Sequence, residues 1–177
     1  MGALAYSEKY TIEDYNGWEG DWELIYGEAY AMAPSPMFGH HFVNLKIARL
    51  LDEALDNCPH CYATMEMDWD VSSDTVVRPD SMVICYEPNE RLTKAPEIIF
   101  EVVSSSSAKR DENLKFALYQ EEGVKYYILV YPHSKKAKLY KLIHAQYQKI
   151  GDFSQERYSF ELEKCTIDFD FGFIWKR

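Results

Sequence analysis

Residues 76–132 read VVRPDSMVICYEPNERLTKAPEIIFEVVSSSSAKRDENLKFALYQEEGVKYYILVYP, and this segment indicates the architecture of the chain. Residues 96–103 are a nearly continuous apolar run, which is typical of a central strand buried on both faces. The serines that follow can cap a helix over residues 109–121, and Gly123 closes that helix. Residues 124–131 form the next buried strand. Strand, helix and strand in this order indicate an α/β sheet.

The flanking segments add strands and one long helix. Gly27 separates two alternating pieces, residues 22–26 and 28–32, which predicts a β-hairpin. Residues 40–55 carry apolar side chains on one helical stripe. Further strands are predicted at residues 62–71, at 75–86 with an interruption at Pro79, and at 137–143, 147–150 and 159–173. We therefore predict one domain, residues 1–177: an α/β fold in which helices flank a mixed β-sheet, with an N-terminal β-hairpin extension.

The chain is acidic. Its 19 Lys and Arg residues against 29 Asp and Glu residues give a formal net charge of −10. Because phosphate contacts supply most of the affinity of proteins for nucleic acids, this charge argues against a broadly DNA-binding surface. Binding of a polyanion would need a local basic patch, metal ions or a partner. Such a patch could be formed by the basic residues nearest the proposed site: Lys109, Arg110, Lys115 and Lys125, together with Arg78 and Arg91. The alternative is that these are ordinary solvated side chains, which is favoured for Lys125.

The expected environment is the cytoplasm. The first residues lack a basic segment followed by an apolar core, as a signal peptide would have, and no run approaches the roughly 18 apolar residues of a membrane span. In that compartment the four cysteines are expected to be reduced thiols.

Two acids lie inside apolar strands. Glu101 shares a predicted strand face with Ile99 and Val103, and Asp80 shares one with Met82 and Ile84. Two neighbouring carboxylates repel unless a cation lies between them, and Mg²⁺ prefers such oxygen ligands. Lys115, inside the following helix, could then stabilise charge on a phosphate. A purely structural interpretation stays open, in which Glu101 and Lys115 form a buried ion pair and Asp80 is a turn residue.

The order of these residues resembles the PD-(D/E)XK nuclease superfamily. The usual lysine, two positions after the acid, is Val103 here. The chain is more specifically similar to a bacterial family of restriction-endonuclease-like proteins whose lysine has moved to the following helix. The strings that match are WELIYGEAYAMAPSP, RPD, APEIIFEVVSSSS, RDENLKFALY and GVKYYILVYP, so the resemblance covers most of the chain from Trp22 to about Leu142.

The resemblance implies a restriction-endonuclease-like fold with a metal-dependent site. Asp80 and Glu101 would be catalytic residues and ligands of Mg²⁺ or Mn²⁺, with the backbone carbonyl of Val102 as a third ligand and Lys115 as the catalytic lysine. The chain departs from the family pattern where Tyr126 and Tyr131 replace acids, where a tryptophan is missing near Ile128, and where the serine run lacks a proline.

Two further residues are candidates for accessory roles. Glu28 lies where the family also carries an acid, and it could complete a metal shell; the alternative is a solvent-exposed edge-strand residue. Glu23 is a weaker candidate. His40, at the start of the long helix, could contact a phosphate or a water at the metal; histidines at helix starts are also common as surface or capping residues.

The cysteines support two alternatives. Cys58 and Cys61 have the C-x-x-C spacing of thiol redox proteins, but they follow a helix instead of preceding one. As zinc ligands they would need two partners, and Cys85 and Cys165 lie far apart in sequence without a second C-x-x-C.

The leading hypothesis is a metal-dependent endonuclease acting on phosphodiester bonds in DNA, as a homodimer that could cut both strands. The first alternative is a catalytically silent binding or assembly module with the same fold. The second is a thiol redox protein that uses Cys58 and Cys61.

Overall fold

The computed structural model describes residues 6–33 and 37–177. The helices are Ile12–Asn16 (α1), Phe38–Ala54 (α2) and Lys115–Glu121 (α3); a π-helical turn, Arg110–Leu114, leads into α3, and a 3-10 helix spans Phe171–Trp175. The strands are Trp22–Ile25 (β1), Glu28–Ala31 (β2), Tyr62–Met65 (β3), Trp69–Ser72 (β4), Thr75–Val77 (β5), Ser81–Ile84 (β6), Ile98–Val102 (β7), Tyr126–Tyr131 (β8), Lys136–Ile143 (β9), Gln146–Phe153 (β10), Arg157–Glu161 (β11) and Thr166–Asp170 (β12).

A six-stranded mixed sheet forms the centre of the molecule. Its order is β10-β9-β8-β7-β6-β3, and β7 runs parallel to β8 and antiparallel to β6. Every residue of β7 is buried, as its apolar sequence predicts. One face packs against α2 and the β11–β12 hairpin, and the other face packs against α3. The prediction of a mixed sheet flanked by helices is therefore confirmed.

The N-terminal hairpin belongs to a second sheet. β1 and β2 pair as predicted, and the turn between them has positive φ at Tyr26 (52°) and Gly27 (77°), which is the geometry that type I′ hairpin turns require. The hairpin continues through β5 to β4, which gives a four-stranded sheet with the order β2-β1-β5-β4. The extension is thus larger than a hairpin.

Two predicted strands are each divided between the sheets. Residues 62–71 become β3 and β4, with a positive φ of 50° at Glu66 between them. Residues 75–86 become β5 and β6, separated at Pro79. A proline cannot donate to a sheet ladder, so the chain leaves one sheet there and enters the other. Asp80 consequently lies at the junction of the two sheets and not within a strand.

The expectation of four reduced thiols is wrong for this structure. Cys58 is bonded to Cys165, and Cys61 is bonded to Cys85. The pairing arises because the end of α2, the end of β6 and the β11–β12 turn meet at one edge of the core. The thiol redox alternative loses its redox pair, since Cys58 and Cys61 are bonded to other cysteines and not to each other.

Among the described residues, no helix is long and apolar enough to cross a membrane.

Candidate active site

The junction of the two sheets fixes Asp80 beside Glu101. Ser81 pairs with Phe100 in the β6–β7 ladder, so the preceding residue, Asp80, lies next to Glu101. The Asp80 N–H donates to Glu101 Oε2 at 3.3 Å, and the Val102 N–H donates to Asp80 Oδ2 at 2.7 Å. The structure therefore brings together the two acids that the sequence analysis selected.

Helix α2 holds the Asp80 segment from the other side. Asn44 is fully buried; its side-chain amide donates to the Asp80 carbonyl at 3.2 Å, and its Oδ1 accepts the Ser81 hydroxyl at 2.5 Å. His40, one turn earlier, places Nε2 3.3 Å from Asp80 Oδ1. Burial by itself would lower the pKa of His40, but the hydrogen bond and the negative charge of Asp80 raise it above its ordinary value. His40 thus orients the Asp80 carboxylate.

Glu101 is enclosed on the α3 face of the central strand, with 3% of its surface exposed. Its Oε1 accepts hydrogen bonds from Lys115 Nζ and from the Tyr119 hydroxyl, each at 2.9 Å. Burial raises the pKa of the Glu101 carboxyl well above its ordinary value, although the charge of Lys115 opposes the shift. Glu101 Oε2 accepts only the long Asp80 N–H bond among the described contacts. That oxygen retains lone-pair capacity for a further ligand.

A single helical face supplies the groups around Glu101. Asp111, Lys115 and Tyr119 recur every four residues through the π-helical turn and α3, and all three are buried. Lys115 Nζ lies 3.9 Å from Asp111 Oδ1. π-helical turns within helices are frequent at functional sites. Burial would lower the pKa of the Lys115 ammonium, but Glu101, Glu23 and Asp111 raise it, so the lysine is charged.

Glu23 is the site residue that the sequence analysis underrated. It lies on β1 with 1% of its surface exposed, and its Oε1 is 2.6 Å from Lys115 Nζ. The Arg78 N–H donates to the same oxygen at 2.9 Å, and Arg110 contacts Oε2 at 3.1 Å. Glu23 therefore joins the second sheet to the carboxylate cluster, which we define as Glu23, Asp80, Glu101 and Asp111.

Glu28 lies outside this cluster. Its side chain is 48% exposed and pairs with Lys9 at 3.1 Å, and it also accepts the Tyr30 hydroxyl. On β1 the side chains of Glu23 and Ile25 point inward, whereas β2 is the exposed edge of its sheet. The structure therefore places Glu28 on the exposed edge strand, away from the cluster, and Glu23 is the acid of this hairpin that reaches Lys115.

The basic patch expected near the site is neutralised by acids. Arg78 contacts Asp68 and Asp21, each at 2.7 Å, and Arg91 forms a bidentate contact with the carboxylate of Asp70. The replaced family acid at Tyr126 does not weaken the cluster, because Tyr126 packs into the core on the opposite face of the sheet. The departures from the family pattern thus leave the carboxylates intact.

The cluster carries more negative than positive charge. Among the described residues, its four carboxylates meet two permanent cations, Lys115 and Arg110. Burial raises the pKa values of Glu101 and Asp111, and the neighbouring carboxylates add to the shift while the charge of Lys115 opposes it. A divalent cation bound by carboxylate oxygens would cancel that surplus. The donors are hard oxygens, which suit Mg²⁺ or Mn²⁺, so the residues fit such an ion.

We expect Asp111→Asn to stabilise the metal-free chain at neutral pH. Burial, partly offset by Lys115, raises the pKa of the Asp111 carboxyl to about 6 from an ordinary value of 3.8. The folded chain then binds this proton more tightly than the unfolded chain, so the stability that depends on Asp111 falls as pH rises from about 4 to about 6. Asn carries no charge, and the variant should gain on the order of 1–3 kcal/mol at pH 7.

Urea unfolding in EDTA between pH 4 and pH 8 measures this effect. The matched control is Glu112→Gln, which removes an exposed acid from the neighbouring position. Parallel stability profiles for wild type and Asp111→Asn would contradict the prediction.

Comparison with known proteins assigns the chain to a family. The family model Uma2, described as "Putative restriction endonuclease", matches residues 11–164. The chain belongs to this family. The matched segment contains the whole carboxylate cluster and Lys115, in agreement with the resemblance seen in the sequence.

Two similar proteins extend the comparison. An uncharacterized protein of Synechocystis sp. is 28% identical over 156 residues, which cover 84% of each chain. A crystal structure described as a "putative nuclease belonging to DUF820" from Anabaena variabilis superposes with a TM-score of 0.76 and 13% identity, over 94% of this chain and 97% of that one. At this identity the second similarity concerns the fold. It supports the restriction-endonuclease-like architecture described above.

Proposed function

We propose that this Uma2 protein is a metal-dependent endonuclease that hydrolyses phosphodiester bonds in DNA. The observation that carries the proposal is the buried carboxylate cluster with Lys115 at the junction of the two sheets. A stability role alone does not account for it, because a buried surplus of negative charge destabilises a fold. Such a surplus is expected where a cation binds.

The proposed ligands are Asp80, Glu101 and the backbone carbonyl of Val102. The Val102 N–H already points to Asp80, and the N–H and C=O of one strand residue face the same edge, so its carbonyl also faces β6. Asp80 has the more accessible carboxylate, with 14% of its side chain exposed. When bound, Mg²⁺ or Mn²⁺ supplies Lewis-acid stabilisation of phosphate charge and activation of water.

The protein's own groups would position the reactants. Lys115 holds a positive charge beside Glu101 and can stabilise negative charge on a phosphate or orient a water. The Tyr119 hydroxyl donates a hydrogen bond that holds the Glu101 carboxylate in place, and His40 contacts and orients the Asp80 carboxylate. His40 is 17% exposed at its side chain, so it can also meet a phosphate at the mouth of the site.

Cleavage of DNA by the purified chain tests the proposal. We expect nicking of supercoiled plasmid, or cutting of labelled double- or single-stranded oligonucleotides, in Mg²⁺ or Mn²⁺ and none in EDTA. DNA binding without cleavage across these metals and substrates would select the alternative, a nuclease-like binding or assembly module. The observation that favours the alternative is the close pairing of Lys115 with Glu23 and Glu101.

A basic pocket offers phosphate contacts outside the neutralised patch. It has a volume of about 200 Å³ and is lined by Lys46, Arg49 and Leu50 of α2 together with Phe173, Lys176 and Arg177. Arg49 is paired with Glu53 at 2.8 Å, so Lys46, Lys176 and Arg177 would supply the phosphate contacts. Lys46 and Arg49 lie six and nine residues beyond His40 on the same helix, or roughly 9–14 Å along its axis. At 3.6 residues per turn both side chains project from the side of α2 away from His40, so a duplex in the site would contact this pocket by wrapping over α2.

We expect the double variant Lys46→Glu, Lys176→Glu to weaken non-specific DNA binding by about 10-fold or more at low salt. Two lost phosphate contacts should also reduce the slope of log K against log salt by about 2. Fluorescence anisotropy across a salt series measures both quantities. The double variant Lys135→Glu, Lys164→Glu changes two exposed lysines in the β8–β9 and β11–β12 turns and controls for the same change in net charge. An equal loss in that control would contradict a specific role of the pocket.

The quaternary structure and compartment follow as parts of the same proposal. Cutting both strands at one position requires two active sites, which a homodimer of this single domain, residues 1–177, would supply. A DNA substrate is consistent with a cytoplasmic protein. Light scattering of the purified chain measures the dimer, and a monomeric mass at micromolar concentration would exclude it.

A further inference from the structure

Four cysteines from separate parts of the chain meet in one cluster. Cys58 and Cys61 flank the turn after α2, Cys85 follows β6, and Cys165 lies in the turn between β11 and β12. The Sγ atoms of Cys58, Cys61 and Cys165 lie within 4.8 Å of one another, and Cys85 is bonded to Cys61. All the cysteines of the chain are thus gathered at one point, although up to 107 residues separate bonded partners.

This arrangement has the composition of a zinc site. Structural zinc is held by four thiolates in a tetrahedron with Zn–S near 2.3 Å, which places the sulfurs about 3.8 Å apart. The Sγ atoms of Cys58, Cys61 and Cys165 already lie within 4.8 Å of one another. Once the two disulfides are reduced, the bonded sulfurs can separate to the zinc spacing, and Cys85, the partner of Cys61, is the ligand that has to turn toward the other three. The objection raised by the sequence, that Cys85 and Cys165 are too remote, is removed because the fold brings both to the C-x-x-C turn.

The turn and its surroundings suit a structural ion. Cys58 and Cys61 are 3% and 5% exposed and pack into the core beside Val83 and Leu162. The Cys61 N–H donates to the Cys58 carbonyl at 3.1 Å, which folds the two thiols to the same side. Pro59 and His60 point outward and are exposed. The sulfurs therefore face inward, away from bulk solvent.

The cluster also has a mechanical consequence. β11 and β12 form a separate two-stranded sheet, and an isolated hairpin of that size is marginally stable in water. Cys165 attaches the tip of this hairpin to the end of α2, and Cys85 attaches the end of β6 to the same point. A four-coordinate ion would fasten three elements at once.

We propose that, with its cysteines reduced, the chain binds one Zn²⁺ through Cys58, Cys61, Cys85 and Cys165 as a structural site. The two disulfides are the alternative closure of the same cluster where thiols are oxidised. The zinc site is distinct from the carboxylate cluster: Asp80 precedes β6 and Cys85 follows it, a separation of about 16 Å at strand spacing. It stabilises the fold whether or not the chain cleaves DNA.

Metal analysis of the reduced full chain tests the site. After purification in a phosphine reductant, we expect inductively coupled plasma mass spectrometry to find one zinc ion per chain. Titration of the reduced, zinc-free chain with Co²⁺ should give thiolate-to-cobalt charge-transfer absorption and the visible bands of tetrahedral cobalt, and stoichiometric Zn²⁺ should remove both. This spectrum comes from the wild-type chain, so it does not depend on the folding of any variant.

Variants assign the ligands. Cys85→Ser and Cys165→Ser should each lose the tetrathiolate spectrum and at least 10-fold in zinc affinity, whereas His60→Ala, between the cysteines of the turn, and Asp80→Asn, in the carboxylate cluster, should keep both. Cobalt binding without thiolate absorption, or zinc binding unchanged in the Cys85→Ser, Cys165→Ser double variant, would overturn the proposal.

Discussion

Asp80→Asn is expected to lower the rate of metal-dependent DNA cleavage by about 10²–10³-fold, the loss typical of removing one preorganised electrostatic group from an active site. Asp80 has the most accessible carboxylate of the cluster, and its Oδ1 contacts only His40 among the described polar contacts. The substitution removes a negative charge from the proposed ion while keeping an oxygen that can accept the Val102 N–H. The fold should therefore persist while the metal affinity falls.

The measurement pairs plasmid cleavage with calorimetric titration of Mn²⁺. Because contaminating nucleases share the metal requirement, the comparison with a matched variant is essential. Glu28→Gln removes one carboxylate from a neighbouring position of the same family motif, yet Glu28 is exposed and bonded to Lys9; it should cleave at the wild-type rate. Equal activity in Asp80→Asn and wild type would place the cleavage, or the metal, elsewhere.

The central part of this site was predictable because it lies within strongly patterned sequence. Glu101 occurs in an apolar run that only a buried strand explains, and an acid there requires a partner. Lys115 lies on a helix whose direction the next strand fixes. Short-range pattern thus identified two elements and the charge pair between them. It also made Asp80 a candidate metal ligand beside Glu101, a role that the family resemblance implies as well.

The rest depended on contacts between distant segments. Glu23 also lies in an apolar run, WELI, so the argument used for Glu101 applied to it equally. Its burial, however, comes from β5 and from Lys115 of α3, and the hairpin sequence contains no sign of either neighbour. The family motif favoured Glu28 instead, which lies on β2, the edge strand of a sheet that the sequence did not reveal.

The cysteine cluster is a second case in which contacts between distant segments could not be predicted from the sequence. Sequence spacing correctly showed that Cys58 and Cys61 are close, but it says nothing about Cys165, 107 residues beyond its bonded partner. The break at Pro79 was visible as an interruption, yet its consequence was not: it sends the chain from one sheet to the other and turns Asp80 toward Glu101. Local signals located these features, and only the tertiary fold gave them partners.

Lys115→Met is expected to impair both stability and cleavage. Methionine has a similar length and no charge, so it leaves the buried carboxylates of Glu23 and Glu101 without their shared cation. Removing one partner of a buried ion pair typically costs 3–5 kcal/mol. Cleavage should fall by about 10² or more, because the variant also loses the positive charge that would stabilise the phosphate.

A double-mutant cycle with Glu23→Gln separates these two effects. Glu23→Gln relieves the repulsion that Lys115→Met creates, so the double variant should be more stable than the sum of the single losses by about 1–3 kcal/mol. In Lys115→Met, Glu23 still contacts Arg110, so its charge is not wholly unpaired. Glu23→Gln should therefore restore only part of the stability that Lys115→Met loses. Urea unfolding in EDTA gives the four free energies.

The activity should behave differently from the stability in this cycle. If Lys115 acts on the phosphate, the double variant regains stability but stays as slow as Lys115→Met, since no positive charge has been restored. If Lys115 serves only as the counter-ion of Glu23 and Glu101, cleavage recovers together with stability. Added Mn²⁺ should also stabilise Lys115→Met more than wild type, because the ion then takes over the role of the missing cation. A variant with unchanged stability and cleavage would refute both roles.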